Sequence, residues 1–229
     1  LLILRVKHMG PRQFVLMLSA LIGLLVGLAA VVIKNLVHLI DQFLTEGLVQ
    51  QFHHYLYFIF PTIGILIVVA FIRYVNKRPV QHGIPGVLHA ISKKNGMINQ
   101  HNLYSSVITS ALTVGFGGSV GLEGPTVATG AAIGSNLGRT FRMSYKNVIL
   151  LLGCACAGAM AAIFKAPIAA IVFALEVIML DLTLASLVPL LVASVTAALT
   201  SYLFMGQNVL YSVNISDTFH MNHVPWYIV

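Results

Sequence analysis

Gly117-Gly118-Ser119-Val120-Gly121-Leu122-Glu123-Gly124-Pro125-Thr126 is a glycine-rich stretch with a single carboxylate, set between two apolar runs. The run before it, residues 103–120, carries no charge and ends in the glycines. The run after it, residues 125–137, begins at a proline and stops before Arg139 and Arg142. Proline suits the first position of a helix, where its missing N–H costs nothing, so Pro125 is expected to open one. The N–H groups of that first turn point back toward Glu123 and carry the partial positive charge of the helix. A desolvated helix N-terminus is an anion site. Glu123 is expected to fill it with its own carboxylate, and an external anion to displace that carboxylate. A plain capping acid is the blander reading, but an acid in so apolar a region is costly and points to function. A phosphate-binding loop is excluded, because there is no Gly-Lys-Ser/Thr and no preceding strand.

The surroundings of this turn are those of a membrane. Of 229 residues, 58% are hydrophobic and 8% charged, against about 25% charged in soluble domains. There is too little polar surface here to cover a water-soluble globule. The net charge of +7 comes from Lys and Arg in short groups, not from one basic stripe with interleaved aromatics. That pattern argues against nucleic-acid binding and for basic flanks on membrane helices. Cys154 and Cys156 lie two apart, so on different helix faces, and read as small packing residues. The chain begins at Leu1 without a cleavable signal peptide, which suggests a partial sequence.

Outward from the turn, residues 14–33 form an uncharged run of about the 20 residues that a helix needs to cross a bilayer. Residues 55–72 form a second. Within the polar stretch 76–102, the apolar piece 84–91 is too short to span and reads as a half helix. Beyond the turn come 148–164, which runs to a Lys-Ala-Pro break, then 167–180 and 182–205. Breaks at Gly and Pro inside apolar runs mark discontinuous helices, tolerated at membrane depth only where the backbone is buried in protein or lines a polar cavity. With the N-terminus inside, Arg5, Lys7, Arg12, Arg73, Lys77, Arg78, Lys93, Lys94, Arg139, Arg142 and Lys146 all fall on the cytoplasmic side. The other side, residues 42–54 and 206–229, holds no Lys or Arg, a strong positive-inside bias. Lys34 and Lys165 lie inside or between apolar segments. Trp226 and Tyr227 suit an interface. The spacings Gly23/Gly27 and Gly130/Gly134/Gly138 give flat faces for close helix packing.

A second turn, Gln81-His82-Gly83-Ile84-Pro85-Gly86, repeats the design before the half helix 84–91. Two helix N-termini converging on one point bind an anion through amides and dipoles, and weak distributed coordination suits rapid passage. His82 is a candidate hydrogen-bond donor to the ion. These two turns resemble those of the CLC family of chloride channels and proton-coupled chloride transporters, where they typically read Gly-Ser-Gly-Ile-Pro and Gly-Arg-Glu-Gly-Pro. Ala161-Ala162-Ile163-Phe164-Lys165-Ala166-Pro167, followed by Phe173-Ala174-Leu175-Glu176, is similar to the family's Ala-Phe-Asn-Ala-Pro break and Phe-x-x-Glu helix end.

The resemblance implies an all-α polytopic membrane protein with discontinuous and re-entrant helices, forming the N-terminal half of a CLC-type inverted repeat. Residues 1–205 would be transmembrane and 206–229 an extracytoplasmic loop or the connection to a second half. It implies that Glu123 is the gating and proton-accepting residue. It makes His82, Gly83, Ile84, Pro85, Gly121, Leu122, Gly124 and Pro125 the anion-binding loops, and puts Glu176 and Val177 on the internal side of the pathway. It further implies a homodimer through 167–180 and 182–205, chloride or a similar anion as the bound ligand, and no other cofactor. There are departures: His82 stands for a serine, Gln81 for a glycine and Leu122 for an arginine. Val177 occupies a position where proton-coupled members often have a glutamate. That favours a passive, voltage-gated-type chloride channel, with a chloride/proton antiporter as the alternative. An enzyme is disfavoured, since His53 and His54 are adjacent and diverge, His82 and His89 are two turns apart, and no nucleophile stands beside a base.

Overall fold

The computed structural model describes residues 10–45, 56–77, 83–178 and 184–206. Gln81, His82, His53, His54, Arg5, Lys7, Arg78, Trp226, Tyr227 and the tail beyond Gly206 lie outside the described residues. Among those described, every regular element is helical.

Helix α1 (Pro11–Leu44) opens at Pro11 behind Gly10, whose amide donates to Gln13 Oε1 at 3.2 Å. The apolar run 14–33 predicted a helix ending near Lys34. Instead α1 continues to Leu44, 34 residues in all, because no Gly or Pro interrupts 34–44 and isolated charges such as Lys34 and Asp41 do not end a helix. At 1.5 Å per residue it is about 51 Å long, more than the roughly 30 Å hydrocarbon core. Its last turns therefore project or tilt.

Helix α2 (Leu56–Ala70) passes into a π-helical turn, Phe71–Asn76. The half helix is α3 (Gly83–Lys93), followed by α4 (Asn102–Gly115), α5 (Glu123–Thr140) and α6 (Tyr145–Phe164). The run 103–120 is not helical throughout: α4 stops at Gly115, and Gly117, at φ +84°, turns the chain away. Helix α7 (Pro167–Phe173) has only seven residues before a second π-helical turn, Ala174–Ile178. The predicted segment 167–180 is thus shorter and irregular at its end. Helix α8 (Leu184–Met205) closes the described chain. Among the described residues, four helices are long and apolar enough to cross a membrane: Arg12–Leu44, Ile59–Asn76, Tyr145–Phe164 and Ser186–Met205. Helices α3 and α4, about 16 and 21 Å by the same rise, fall short of a full crossing.

Helix α6 is the axis of the bundle, buried from Leu151 to Ala159 and packed against α1, α5, α7 and α8. The packing is backbone to backbone. A methyl group added at Gly134 of α5 would lie 2.7 Å from the Leu151 carbonyl oxygen, and one at Gly130 would lie 2.9 Å from that of Ala155. Gly23 and Gly27 make the same close approach to α8. Lipid supplies no hydrophobic drive between helices, so flat faces and dispersion hold such a bundle together. Cys154 and Cys156 are free and buried in separate clusters, consistent with packing roles. Outward, α2 and α8 present Ile65, Leu66, Leu199 and Leu203.

Candidate functional site

The Glu123 turn is built from α4 forward. Ile40 of α1 fills the space beside Gly115, and the Phe116 ring packs on Gly64 of α2, so the end of α4 is gripped from two sides. The chain then reverses through Gly117 and Gly118 and re-enters a helix at Glu123, with Leu122 as the cap residue. Glu123 is therefore the first helical residue and Pro125 the third, not the first as the sequence suggested. The arrangement still satisfies proline, since the first four N–H groups of a helix lack intrahelical partners. Thr126 Oγ1 donates to the Leu122 carbonyl at 2.7 Å, and Ser106 Oγ of α4 donates to the Pro125 carbonyl at 3.2 Å. These bonds fix the start of α5.

Leu122, as the cap residue, offers no side-chain hydrogen bond to the amides of the first turn. The Glu123 carboxylate folds back over Gly121 so closely that a methyl group on Gly121 would meet Oε2 at 1.8 Å. Glu123 itself is half-buried. A carboxylate at the amino end of a helix in apolar surroundings interacts with the exposed amides and the dipole, and a competing anion meets the same attraction.

Helix α3 brings the second N-terminus to the same place. Gly83 starts it at φ +49°, a left-handed conformation that favours glycine. From that position its backbone lies against Gly124, with only 3.4 Å between the place a Gly83 Cβ would occupy and the Gly124 Cα. The two glycine-proline turns, about 40 residues apart in sequence, thus meet through their backbones. Ile84 is half-buried and Pro85 exposed beside them.

The internal-side candidates sit elsewhere. Glu176 and Val177 lie in the π-helical turn after α7, a kind of irregularity frequent at functional sites. Glu176 is exposed, whereas Val177 packs against the main core cluster.

Two residues that the sequence left without a role belong to the surroundings of the Glu123 turn. Lys34 of α1 and Lys165, at the α6–α7 break, line one small cavity together with Leu122, Thr126 and Ser201. Lys34 and Leu122 also line a wider open cleft of about 790 Å³ with His38, Asp41 and Phe204. The cost of a lysine inside an apolar run was the available signal. It did not say which cavity each would face.

Comparisons with known proteins agree with this architecture. Residues 63–229 match the family described as voltage gated chloride channel. A putative chloride channel protein ClcB-like from Ralstonia nicotianae is 32% identical over 157 residues, covering 67% of this chain and 37% of the relative. The H(+)/Cl(-) exchange transporter ClcA of Vibrio cholerae serotype O1 is 29% identical over 202 residues, covering 85% of this chain and 43% of that protein. Among solved structures, a CLC-type fluoride/proton antiporter aligns at TM-score 0.73 and 27% identity over 91% of this chain and 51% of its own. A slow cyanobacterial Cl-/H+ antiporter aligns at TM-score 0.75 and 20% identity, covering 96% and 53%. The chain spans about two-fifths of the length of the curated relatives and about half that of the structures. These relatives are named as channels or transporters, not as enzymes. With a multi-pass helical bundle, two broken helices meeting at Gly83 and Gly124, and a family match over most of its length, this chain belongs to the CLC chloride channel and chloride/proton antiporter family.

Proposed function

We propose that the chain forms the Glu123-gated part of an anion pathway in a protein that exchanges chloride or a similar anion for protons. One observation carries the gate: the Glu123 carboxylate folds over Gly121 at the start of α5, where Gly83 and Gly124 join two helix N-termini. In this reading the carboxylate and an anion compete for the same amides and dipoles. Protonation of Glu123 removes the competitor and carries a proton with it. Gly83, Ile84, Pro85, Gly121, Leu122, Gly124 and Pro125 supply backbone to the ion, joined by His82, which lies outside the described residues.

Proton coupling is preferred to the passive channel expected from the sequence. Its support is a relative named as an exchange transporter, matched over 85% of this chain, and a fluoride/proton antiporter of like fold at 27% identity. The channel remains the second reading, favoured by Val177 in place of a proton-relaying acid and by the relative named a putative chloride channel. Flux from vesicles containing the full-length protein, followed with a proton-sensitive dye, separates the two. A chloride gradient that drives protons uphill supports exchange; chloride movement with no proton movement overturns it in favour of the channel.

The same proposal places the N-terminus in the cytoplasm, from the distribution of Lys and Arg. It pairs two copies through the apolar faces of α7 and α8, where Ile168, Val172, Leu199 and Leu203 are exposed. Glu176 and Val177 then stand on the inner side.

A further inference from the structure

Lys34 and Lys165 are 131 positions apart in the chain, and the fold brings both to one cavity beside Leu122, the residue preceding the gating carboxylate. Lys165 is held firmly: it is only 9% exposed, its Nζ donates to the Gly206 carbonyl, and it stands 4.8 Å from the centre of the Tyr202 ring. Its backbone, at φ +54°, is left-handed, which sets the direction in which the side chain leaves the break. Lys34 comes from α1, on the face that also carries His38 and Asp41. Among the described residues, the lining of the small cavity includes these two ammonium groups, Thr126 and Ser201, and no carboxylate. Asp41 faces the wider cleft, two helical turns or about 10 Å beyond Lys34. The Glu123 carboxylate turns toward Gly121.

Two like charges along a partly desolvated wall raise the local potential for anions, and low-dielectric walls focus it. The cavity measures about 20 Å³, near the minimum that holds one water, so it suits a monatomic ion better than an organic acid. We propose that Lys34 and Lys165 form an anion-recruiting site beside the Glu123 turn, which takes a halide from the cleft before it reaches the gate. The inference rests on the reading of Glu123 as that gate. On the proposed orientation, both lysines lie on the outer side, since α1 and α6 run outward to them.

The test is chloride transport by the full-length protein in vesicles, measured against external chloride concentration. Lys34→Gln, and Lys165→Asn, which tolerates the left-handed backbone, should each raise the half-saturating concentration roughly threefold to tenfold. The maximal rate should stay within about twofold, and Lys34→Arg should behave as the parent. The difference should shrink at high ionic strength set with an impermeant salt. An unchanged half-saturating concentration in both variants overturns the proposal, as does a Lys34→Gln loss that arginine does not avert. Glu123→Gln in the same vesicles keeps the two claims apart. If it raises flux while the lysine variants are silent, only the recruiting site fails; if it is itself silent, the gate fails.

Discussion

A methyl group added at Gly23 would lie 1.9 Å from Thr196 Oγ1 and 2.4 Å from the Ala193 carbonyl oxygen, whereas one at Gly124 would meet nothing nearer than the Gly83 Cα at 3.7 Å. In the bundle, glycine is demanded by a neighbouring backbone. At Gly124 of the Glu123 turn it is not: this glycine has neither a crowded Cα nor a positive φ. The bundle glycines let helices touch, whereas Gly124, half-buried at the proposed gate, has room beside it. The same residue type thus reports packing in one region and access in the other.

Substitutions should separate the two regions. The largest effect is expected at Gly23→Val or Gly134→Val, where overpacking against a backbone oxygen costs about 3 kcal/mol or more. Thermal unfolding in detergent should show a marked drop in Tm, and an unchanged Tm would mean that the helices move apart without penalty. Glu123→Gln should leave Tm alone yet raise anion flux severalfold and flatten its dependence on pH, because a neutral side chain no longer competes for the helix N-terminus. A flux with the parent's pH profile would take Glu123 out of the gate. Gly121→Ala should act in the same direction but more weakly, roughly doubling flux at neutral pH, since the new methyl group displaces the carboxylate that now lies over it. The smallest change in stability belongs to Gly124→Ala, with Tm within about 2 °C of the parent. Its flux should nonetheless fall, as the methyl group stands in the space beside the half-buried backbone. A large drop in Tm there would collapse the distinction between the two kinds of glycine.

How far the sequence could be read follows from the physics of each signal. Glycine four apart in apolar runs announced the close helix faces, and Gly23, Gly27, Gly130 and Gly134 do lie there. The two glycine-proline turns were visible because few residues end a helix so bluntly. Their meeting at Gly83 and Gly124 is a tertiary contact, and the sequence suggested it only through the repeated design. Helix ends were less legible. Hydropathy counts a charge against a span, so Lys34 looked like the end of α1. The helix runs on because Lys34, His38 and Asp41 share a face that opens on the cleft. Proline marked the start of α5 to within two residues, because any of the first four positions tolerates its missing N–H. The π-helical end of α7 left no mark that periodicity could show.

The grip on the end of α4, with Ile40 against Gly115 and Phe116 against Gly64, bears on tempo. Downstream of it, Gly130 and Gly134 fasten α5 to the α6 backbone, so neither helix flanking the Glu123 turn can shift without unseating a close contact. What stays free is the carboxylate arm of Glu123, and rotations of such side chains take picoseconds to nanoseconds, against microseconds or longer for helix displacements. Opening would then be a fast local flicker, and the pace of turnover would be set by the arrival and departure of protons and ions.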